Sequence, residues 1–200
     1  SMTTLTRTAR IAALTLPMML LAAQAGAHVG EGINTGFASG FWHPIYGWDH
    51  VVAMVAVGLW GAFLGAPAIW ILPVVFPLVM AFGGALGVIG VPIPMIETGI
   101  ALSGVVLGLL IAFAVRAPIW VAAVIVGVFA IFHGHAHGTE LPEAFSPYGY
   151  AVGFVVGTGL LHMAGIALGF LTKSEPGKLA VRGAGGVIAL VGAAFLFGLA

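Results

Sequence analysis

The chain has 200 residues, of which 61% are hydrophobic and only 6% are charged, and its formal net charge is zero. A soluble domain carries about 25% charged residues, so this composition excludes one and predicts an all-α, polytopic membrane bundle. The neutral charge balance argues against a nucleic-acid partner. Because the chain has no cysteine, a metal site would have to use imidazole, carboxylate, thioether or water ligands.

The N-terminus has the pattern of a secretory signal peptide. Two arginines precede an apolar run over residues 11–23, and the small residues Ala-Gly-Ala follow at 25–27. This order predicts that residues 1–27 are removed as a signal peptide; a retained first transmembrane helix is the alternative. In both cases His28 lies outside the cytoplasm. After cleavage, its α-amine and imidazole would offer a chelating pair to a divalent metal.

Residues 28–200 are predicted to form a single transmembrane domain of about six helices. Each apolar segment has roughly the 20 residues that a bilayer core requires. Pro73 and Pro77 are expected to kink the second span, and the longest connection covers residues 136–146. The predicted spans are 44–64, 68–89, 96–115, 118–135, 147–171 and 178–199.

Small residues recur at four-residue spacing within three of these spans. In a membrane bundle such pairs let helix backbones approach closely, so they predict helix-packing faces and not contacts to a substrate. The pairs are Gly83/Gly87, Gly104/Gly108, Gly153/Gly157 and Gly165/Gly169.

The charged residues predict the orientation of the bundle. If residue 28 is outside, every basic residue of the mature chain falls at a cytoplasmic loop, namely Arg116, Lys173, Lys178 and Arg182. This positive-inside bias predicts a bacterial inner-membrane protein with a periplasmic mature N-terminus. Most acids lie near the opposite, outer ends, where they would attract cations. These acids are Glu31, Asp49, Glu97, Glu140 and Glu143.

The start of the first span is unusually polar, with His-Pro-Ile-Tyr-Gly-Trp-Asp-His at residues 43–50. Ionisable groups at membrane depth are costly and favour a functional interpretation. Pro44 suits the first helical position, which would make His43 the N-cap. His50 would then lie two turns away, about 10 Å along the axis. Either Gly47 bends the chain, or the two histidines serve successive positions on a path; a plain polar helix entry is the alternative.

The fourth span ends in Phe-His-Gly-His-Ala-His-Gly-Thr-Glu at residues 132–140. On a helix, His133, His137 and Glu140 share a face while His135 points elsewhere; in an extended loop the three histidines would align. This density of imidazole and carboxylate is typical of a nitrogen–oxygen metal site. A solvated loop that buffers metal nonspecifically is the alternative. Both motifs lie at outer helix ends, so we expect them to form facing walls of one outer site.

Two further polar residues are candidates. Glu97 opens the third span at the depth of the other ligands, although an acid in the first turn also interacts favourably with the helix dipole. His162 lies in the middle of the fifth span. It is either hydrogen-bonded to a neighbouring helix or the next position inward for an ion.

Residues 43–50, followed by the apolar run at 51–60, resemble the first-helix signature of the HupE/UreJ family. The segments around Glu97, at residues 134–140 and at Leu161-His162 resemble further motifs of that family, so the similarity covers most of the mature chain. The resemblance implies a permease for Ni²⁺, or in some members Co²⁺, and not an enzyme. It implies the metal as transported substrate, no prosthetic group, and delivery of the ion to nickel-enzyme maturation proteins.

Residue chemistry and the resemblance together predict the metal ligands. The main candidates are His43, Asp49, His50, Glu97, His133, His137 and Glu140, and the secondary candidates are His28, His135 and His162. The expected partners are the divalent ion and the lipid bilayer. The sequence leaves open whether the protein forms a homo-oligomer.

Two functions of other classes are alternatives. A membrane-embedded metalloenzyme could use the same cluster to activate water or oxygen. A haem-binding subunit could use His50 and His162 as axial ligands.

Overall fold

The computed structural model describes residues 33–140 and 147–200, and these residues form helices without any strand. This confirms the predicted all-α membrane bundle. The predicted signal peptide, His28, Glu31 and Glu143 lie outside the described residues. The helices are α1 (Ile33–Tyr46), α2 (Trp48–Leu64), α3 (Ala68–Val88), α4 (Ile96–Ala112), α5 (Ile119–Glu140), α6 (Pro147–Gly169) and α7 (Glu175–Leu196), with a short 3-10 helix at Phe170–Lys173.

The helix lengths agree with about six membrane crossings. Four helices, α3, α5, α6 and α7, are long and apolar enough to cross a membrane alone. Together α1 and α2 have the composition of one bent span, and α4 is a shorter apolar helix. Pro73 and Pro77 both lie inside α3, which runs through them without a break.

The predicted helix start at Pro44 is wrong. Pro44 lies inside α1, so His43 is not an N-cap. The proline ring is buried against α6, where a Cβ on Gly157 would come within 3.1 Å of it. Packing against α6 therefore outweighs the preference of proline for a helix start. The chain turns at Gly47 instead, and α1 and α2 meet at 82°, which is the bend that the sequence left open.

The predicted glycine faces are confirmed as helix contacts. Gly83 and Gly87 of α3 lie against the backbone of α5, and Gly104 and Gly108 of α4 lie against α7. The pairs on α6 do the same: Gly153/Gly157 contact α1 and Gly165/Gly169 contact α2. At most of these positions an added Cβ would collide with the backbone of the neighbouring helix. The glycines therefore set the close helix spacing expected of bundles that pack through small residues.

Helix α2 occupies the centre of the bundle and contacts α3, α4, α6 and α7. Met54, Leu59 and Trp60 on α2 are completely buried, and the Trp60 indole N–H donates to the Val115 carbonyl at 3.2 Å. Because α2 is surrounded by other helices, His50 near its N-terminus is buried among protein side chains.

The polar residues are divided between the two ends of the bundle. The N-termini of α2 and α4 meet the C-terminus of α5 at one end, which we call the histidine end. The four basic residues of the described chain lie at the other end. There Arg182 donates to the Ala112 carbonyl at 2.8 Å, and the Arg116 guanidinium lies 4.9 Å from the Phe63 ring centroid. This separation is the one that the positive-inside pattern requires.

Candidate metal centre

The histidine end contains a cavity of about 440 Å³ that brings the predicted ligands together. Segments from α1, the Gly47 bend, α2, α4 and α5 form its wall. All seven main candidates line it, namely His43, Asp49, His50, Glu97, His133, His137 and Glu140, and so does His135. The fold therefore gathers residues that are up to 97 positions apart in the sequence.

Three of these side chains form a group at the mouth of the cavity. His43 Nε2 lies 3.1 Å from Glu140 Oε2, and His137 Nδ1 lies 3.8 Å from the same oxygen. One ligand atom from each of the three residues lies within 4.8 Å of the others. The side chains of Glu140 and His43 are 53% and 39% exposed, whereas His137 is only 15% exposed. This mouth group can thus meet an ion that still carries water.

A second, buried group lies deeper in the cavity. His50 Nδ1 is 3.0 Å from His133 Nδ1, and His133 Nε2 is 2.8 Å from the Ser103 hydroxyl. All three residues are buried. The His137 ring connects the two groups, because its centroid lies 5.0 Å from that of His43 and 5.1 Å from that of His50.

The hydrogen bonds of this deep group determine its tautomers. Ser103 Oγ lies at hydrogen-bonding distance from the Ile100 carbonyl oxygen, which can only accept, so the hydroxyl donates there. Ser103 must then accept from His133 Nε2–H, which leaves Nδ1 of His133 as an acceptor. His50 therefore donates through Nδ1–H to His133, and its Nε2 carries a lone pair.

That lone pair is what a metal ion requires. His50 Nε2 is buried and has no hydrogen-bond partner within the described residues. A neutral imidazole binds metal through its unprotonated nitrogen, while its N–H is held by a supporting group. His133 and Ser103 form such a support for His50, and in this arrangement both nitrogens of His133 are engaged.

The two other carboxylates border the cavity from helix N-termini. Asp49 Oδ1 accepts the backbone N–H of His50 at 2.8 Å, which fixes the carboxylate at the start of α2. Glu97 is exposed in the first turn of α4. Among the described residues, no lysine or arginine lines the cavity. Three carboxylates without a basic partner at the cavity favour the binding of a cation.

The two secondary candidates of the described chain take different positions. His135 points away from the shared face of α5, as predicted for a helix, and its Nε2 lies 2.6 Å from the Val91 carbonyl oxygen. His162 does not line the cavity. Its ring is buried beside Phe76, with the two ring centroids 5.4 Å apart.

Sequence reasoning missed three side chains that shape the site. Ser103 supports His133, Phe154 lies 4.3 Å from the His137 ring, and the Tyr150 ring lies 5.8 Å from that of His43. A lone serine in an apolar helix was a detectable signal for the first. The two aromatic residues carry no comparable signal, because membrane helices contain many such residues.

Comparisons with known proteins agree with these motifs. The family described as HupE / UreJ protein matches residues 16–195. The chain is 49% identical over 191 residues to Protein HupE of Rhizobium leguminosarum bv. viciae, covering 96% of this chain and 97% of that relative. No solved structure matches the chain. The family match and this relative span nearly the whole sequence, and the chain therefore belongs to the HupE/UreJ family.

Proposed function

We propose that this protein is a permease that carries Ni²⁺, or a similar divalent ion such as Co²⁺, across the bacterial inner membrane into the cytoplasm. The observation that carries the proposal is the convergence of five imidazoles and three carboxylates on one cavity that no lysine or arginine of the described chain lines. Imidazole with carboxylate suits nickel and cobalt, whereas magnesium and calcium prefer oxygen ligands alone. Membership of the HupE/UreJ family supports the same cargo.

The gradient of burial supports an ordered capture of the ion. The exposed acids Glu97 and Glu140 would attract the hydrated cation to the mouth. His43, His137 and Glu140 would then replace some of its waters, because their ligand atoms already lie within 4.8 Å of one another. His137 contacts both groups, so the ion could pass from the mouth to His50 without losing all protein ligands.

At the deep position, His50 would bind through Nε2, with Asp49 supplying negative charge at the start of α2. His133 and Ser103 would hold the imidazole in the required tautomer. This assignment makes His133 a supporting residue of the site instead of a ligand. Transport also requires release, so each position should bind the ion only weakly enough for it to move on.

The separation of charges supports the direction of transport. The histidine end carries Asp49, Glu97 and Glu140. The opposite end carries the four basic residues of the described chain and one acid, Glu175, which pairs with Lys178. The positive-inside rule assigns the basic end to the cytoplasm, so the cavity would face the periplasm. The ion is the substrate, no prosthetic group or catalytic step is needed, and delivery to nickel-enzyme maturation proteins would follow in the cytoplasm.

The test is uptake by the purified full chain in proteoliposomes, measured for Ni²⁺, Co²⁺, Zn²⁺ and Mg²⁺ with and without a pH gradient. We expect uptake of Ni²⁺ and Co²⁺ well above that of protein-free vesicles, with little uptake of Mg²⁺. Asp49→Asn should lose most of the uptake. It isolates the effect of the charge, because asparagine can still accept the His50 N–H. Uptake equal to that of protein-free vesicles, or normal uptake by Asp49→Asn at equal protein content, would contradict the proposal.

A further inference from the structure

His162 is a buried histidine for which the described chain provides no hydrogen bond. The residue is only 1% exposed, and neither Nδ1 nor Nε2 has a partner among the described residues. Buried polar side chains nearly always have partners, and an exception calls for a bound water or ion, or a functional role. In its neutral form the ring has one lone pair that can bind a metal.

Thr158 presents a second polar group of the same kind. It is 0% exposed, and its hydroxyl also lacks a partner within the described residues. Hydroxyls inside helices commonly donate to a carbonyl one turn back, and Ser103, Thr139 and Thr172 all do so here. Thr158 does not, so its oxygen is available. It lies four residues before His162 on α6, and residues at this spacing are neighbours on a helix surface.

These two residues continue a line on α6 that begins beside the histidine rings of the cavity. Along α6, Tyr150, Phe154, Thr158 and His162 follow one another at four-residue spacing, and all four are buried. Phe154 contacts the rings of His50 and His137, at 5.5 Å and 4.3 Å between centroids. Two helical turns separate Phe154 from His162, which corresponds to about 12 Å along the axis. His162 therefore lies farther from the histidine end than the deep group does.

Phe76 of α3 connects the deep group to His162. Its ring is completely buried, and its centroid lies 5.8 Å from that of His133 and 5.4 Å from that of His162. Within the described chain, no polar side chain forms hydrogen bonds to both His133 and His162. An ion that leaves the deep group toward His162 would pass the face or edge of this aromatic ring.

The geometry points to a second, inner binding position for the transported divalent cation, formed by His162 and Thr158 and separated from the cavity by Phe76. This inference rests on the proposed function. One imidazole nitrogen and one hydroxyl oxygen provide fewer ligands than the cavity does, so the ion would keep part of its water shell. A position with few ligands binds weakly, which is what an intermediate on the way to release requires.

The test uses the full chain purified in detergent and titrated with Co²⁺, whose visible absorption reports its ligands. Bound metal is counted by equilibrium dialysis, and Ni²⁺ uptake is measured in proteoliposomes. His162→Phe fills the ring volume but removes both nitrogens. Thr158→Val keeps the shape and removes the hydroxyl. Met163→Leu is the matched control, because the Met163 side chain is adjacent on α6 but 63% exposed.

We expect His162→Phe to bind one ion fewer per chain than wild type, to keep the cavity absorption signal and to lose at least about tenfold in uptake. Thr158→Val should weaken the inner position about tenfold, and Met163→Leu should match wild type. His162→Phe should also melt at a higher temperature without metal, because it removes buried polar atoms that lack partners. A melting temperature at or above that of wild type would show that a loss of uptake by His162→Phe is not caused by misfolding.

Equal metal counts and equal uptake in wild type and His162→Phe would overturn the inner position. If Asp49→Asn abolished uptake in the same experiment, the proposed function would stand while this inference failed. If Asp49→Asn also transported normally, the proposed function itself would fail, and the inner position with it.

Discussion

The two ends of the bundle satisfy their polar groups in opposite ways. At the basic end, the Lys178 ammonium lies 2.8 Å from Glu175, and Arg182 donates to a backbone carbonyl at 2.8 Å. At the histidine end, His50 Nε2 and His137 Nδ1 are buried without hydrogen-bond partners in the described chain. At the basic end, Lys178 and Arg182 find partners within the protein, whereas the histidine end presents ligand atoms that have no partner among the described residues.

This difference separates polar groups that orient a membrane protein from polar groups that are available to bind a ligand. Exposed ion pairs contribute little to stability, and their main effect here is on topology. Buried imidazoles with unshared lone pairs are costly to maintain, and a ligand bound by these nitrogens would offset that cost. The contrast can be tested by substitutions that act on one end at a time.

The largest loss should come from His50→Gln. The glutamine amide can still donate to His133, so the buried hydrogen bonds are largely kept, but the imidazole lone pair is lost. We expect Ni²⁺ uptake to fall by more than the roughly 10–100-fold that loss of a supporting residue costs. Uptake is measured in proteoliposomes at matched protein content. Normal uptake by His50→Gln would remove the deep position from the proposed path.

Glu140→Gln should have the next largest effect. The substitution keeps the size of the side chain but removes the charge that lies 3.1 Å from His43 and 3.8 Å from His137. We expect about 30-fold weaker Ni²⁺ binding, measured by equilibrium dialysis.

The Ni²⁺ affinity of the wild type should also weaken as pH falls through the range in which histidine takes up a proton, because protons compete with the ion for the ligands. The same dialysis measurement, repeated across pH, checks this.

The control for Glu140→Gln is His135→Ala on the same helix. His135 is hydrogen-bonded to the Val91 carbonyl and not to the mouth group. His135→Ala should therefore weaken Ni²⁺ binding less than Glu140→Gln does. Equal and mild losses in both variants would favour a cluster that buffers metal nonspecifically.

A smaller effect is expected from Ser103→Ala, which tests the tautomer argument. Without the hydroxyl, His133 Nε2–H loses its acceptor, and the tautomer that keeps His50 Nε2 unprotonated is no longer enforced. We expect metal affinity to fall by about tenfold, as measured by dialysis. Ser103→Thr retains the hydroxyl and should restore most of the affinity. Failure of threonine to restore it would mean that Ser103 acts through packing alone.

The smallest effect is expected at the basic end, from Glu175→Gln. Glu175 and Lys178 have side chains that are 86% and 52% exposed, and exposed pairs are screened by water and salt. We expect unchanged Ni²⁺ uptake and an unchanged melting temperature. A large loss of uptake would show that the basic end takes part in transport and would remove the contrast drawn between the two ends.

Much of the fold could be predicted because membrane helices are specified locally. Apolar segments about 20 residues long appear directly in the sequence, and the bounds of α3 and α6 differ from the predicted spans by one or two residues. The start of α1 could not be predicted, since Pro44 favours a helix start locally but packs inside α1 through contacts with α6. The sequence also left open whether the histidines at 133–137 lie on a helix or in an extended loop. In the structure α5 continues as a helix through Glu140.

By itself, the sequence determined the membrane class, the family, the glycine packing faces and the residues with metal-binding chemistry. The family follows from the resemblance of its motifs to known ones. The rest follows from composition, helical periodicity and motif spacing, which are local properties of the chain. Only the tertiary structure decided that His43 and His50 both flank His137, that His133 and Ser103 orient His50, and that His162 lies beyond Phe76. Such relations depend on how helices cross and which side chains meet between them, and no local pattern in the sequence specifies that.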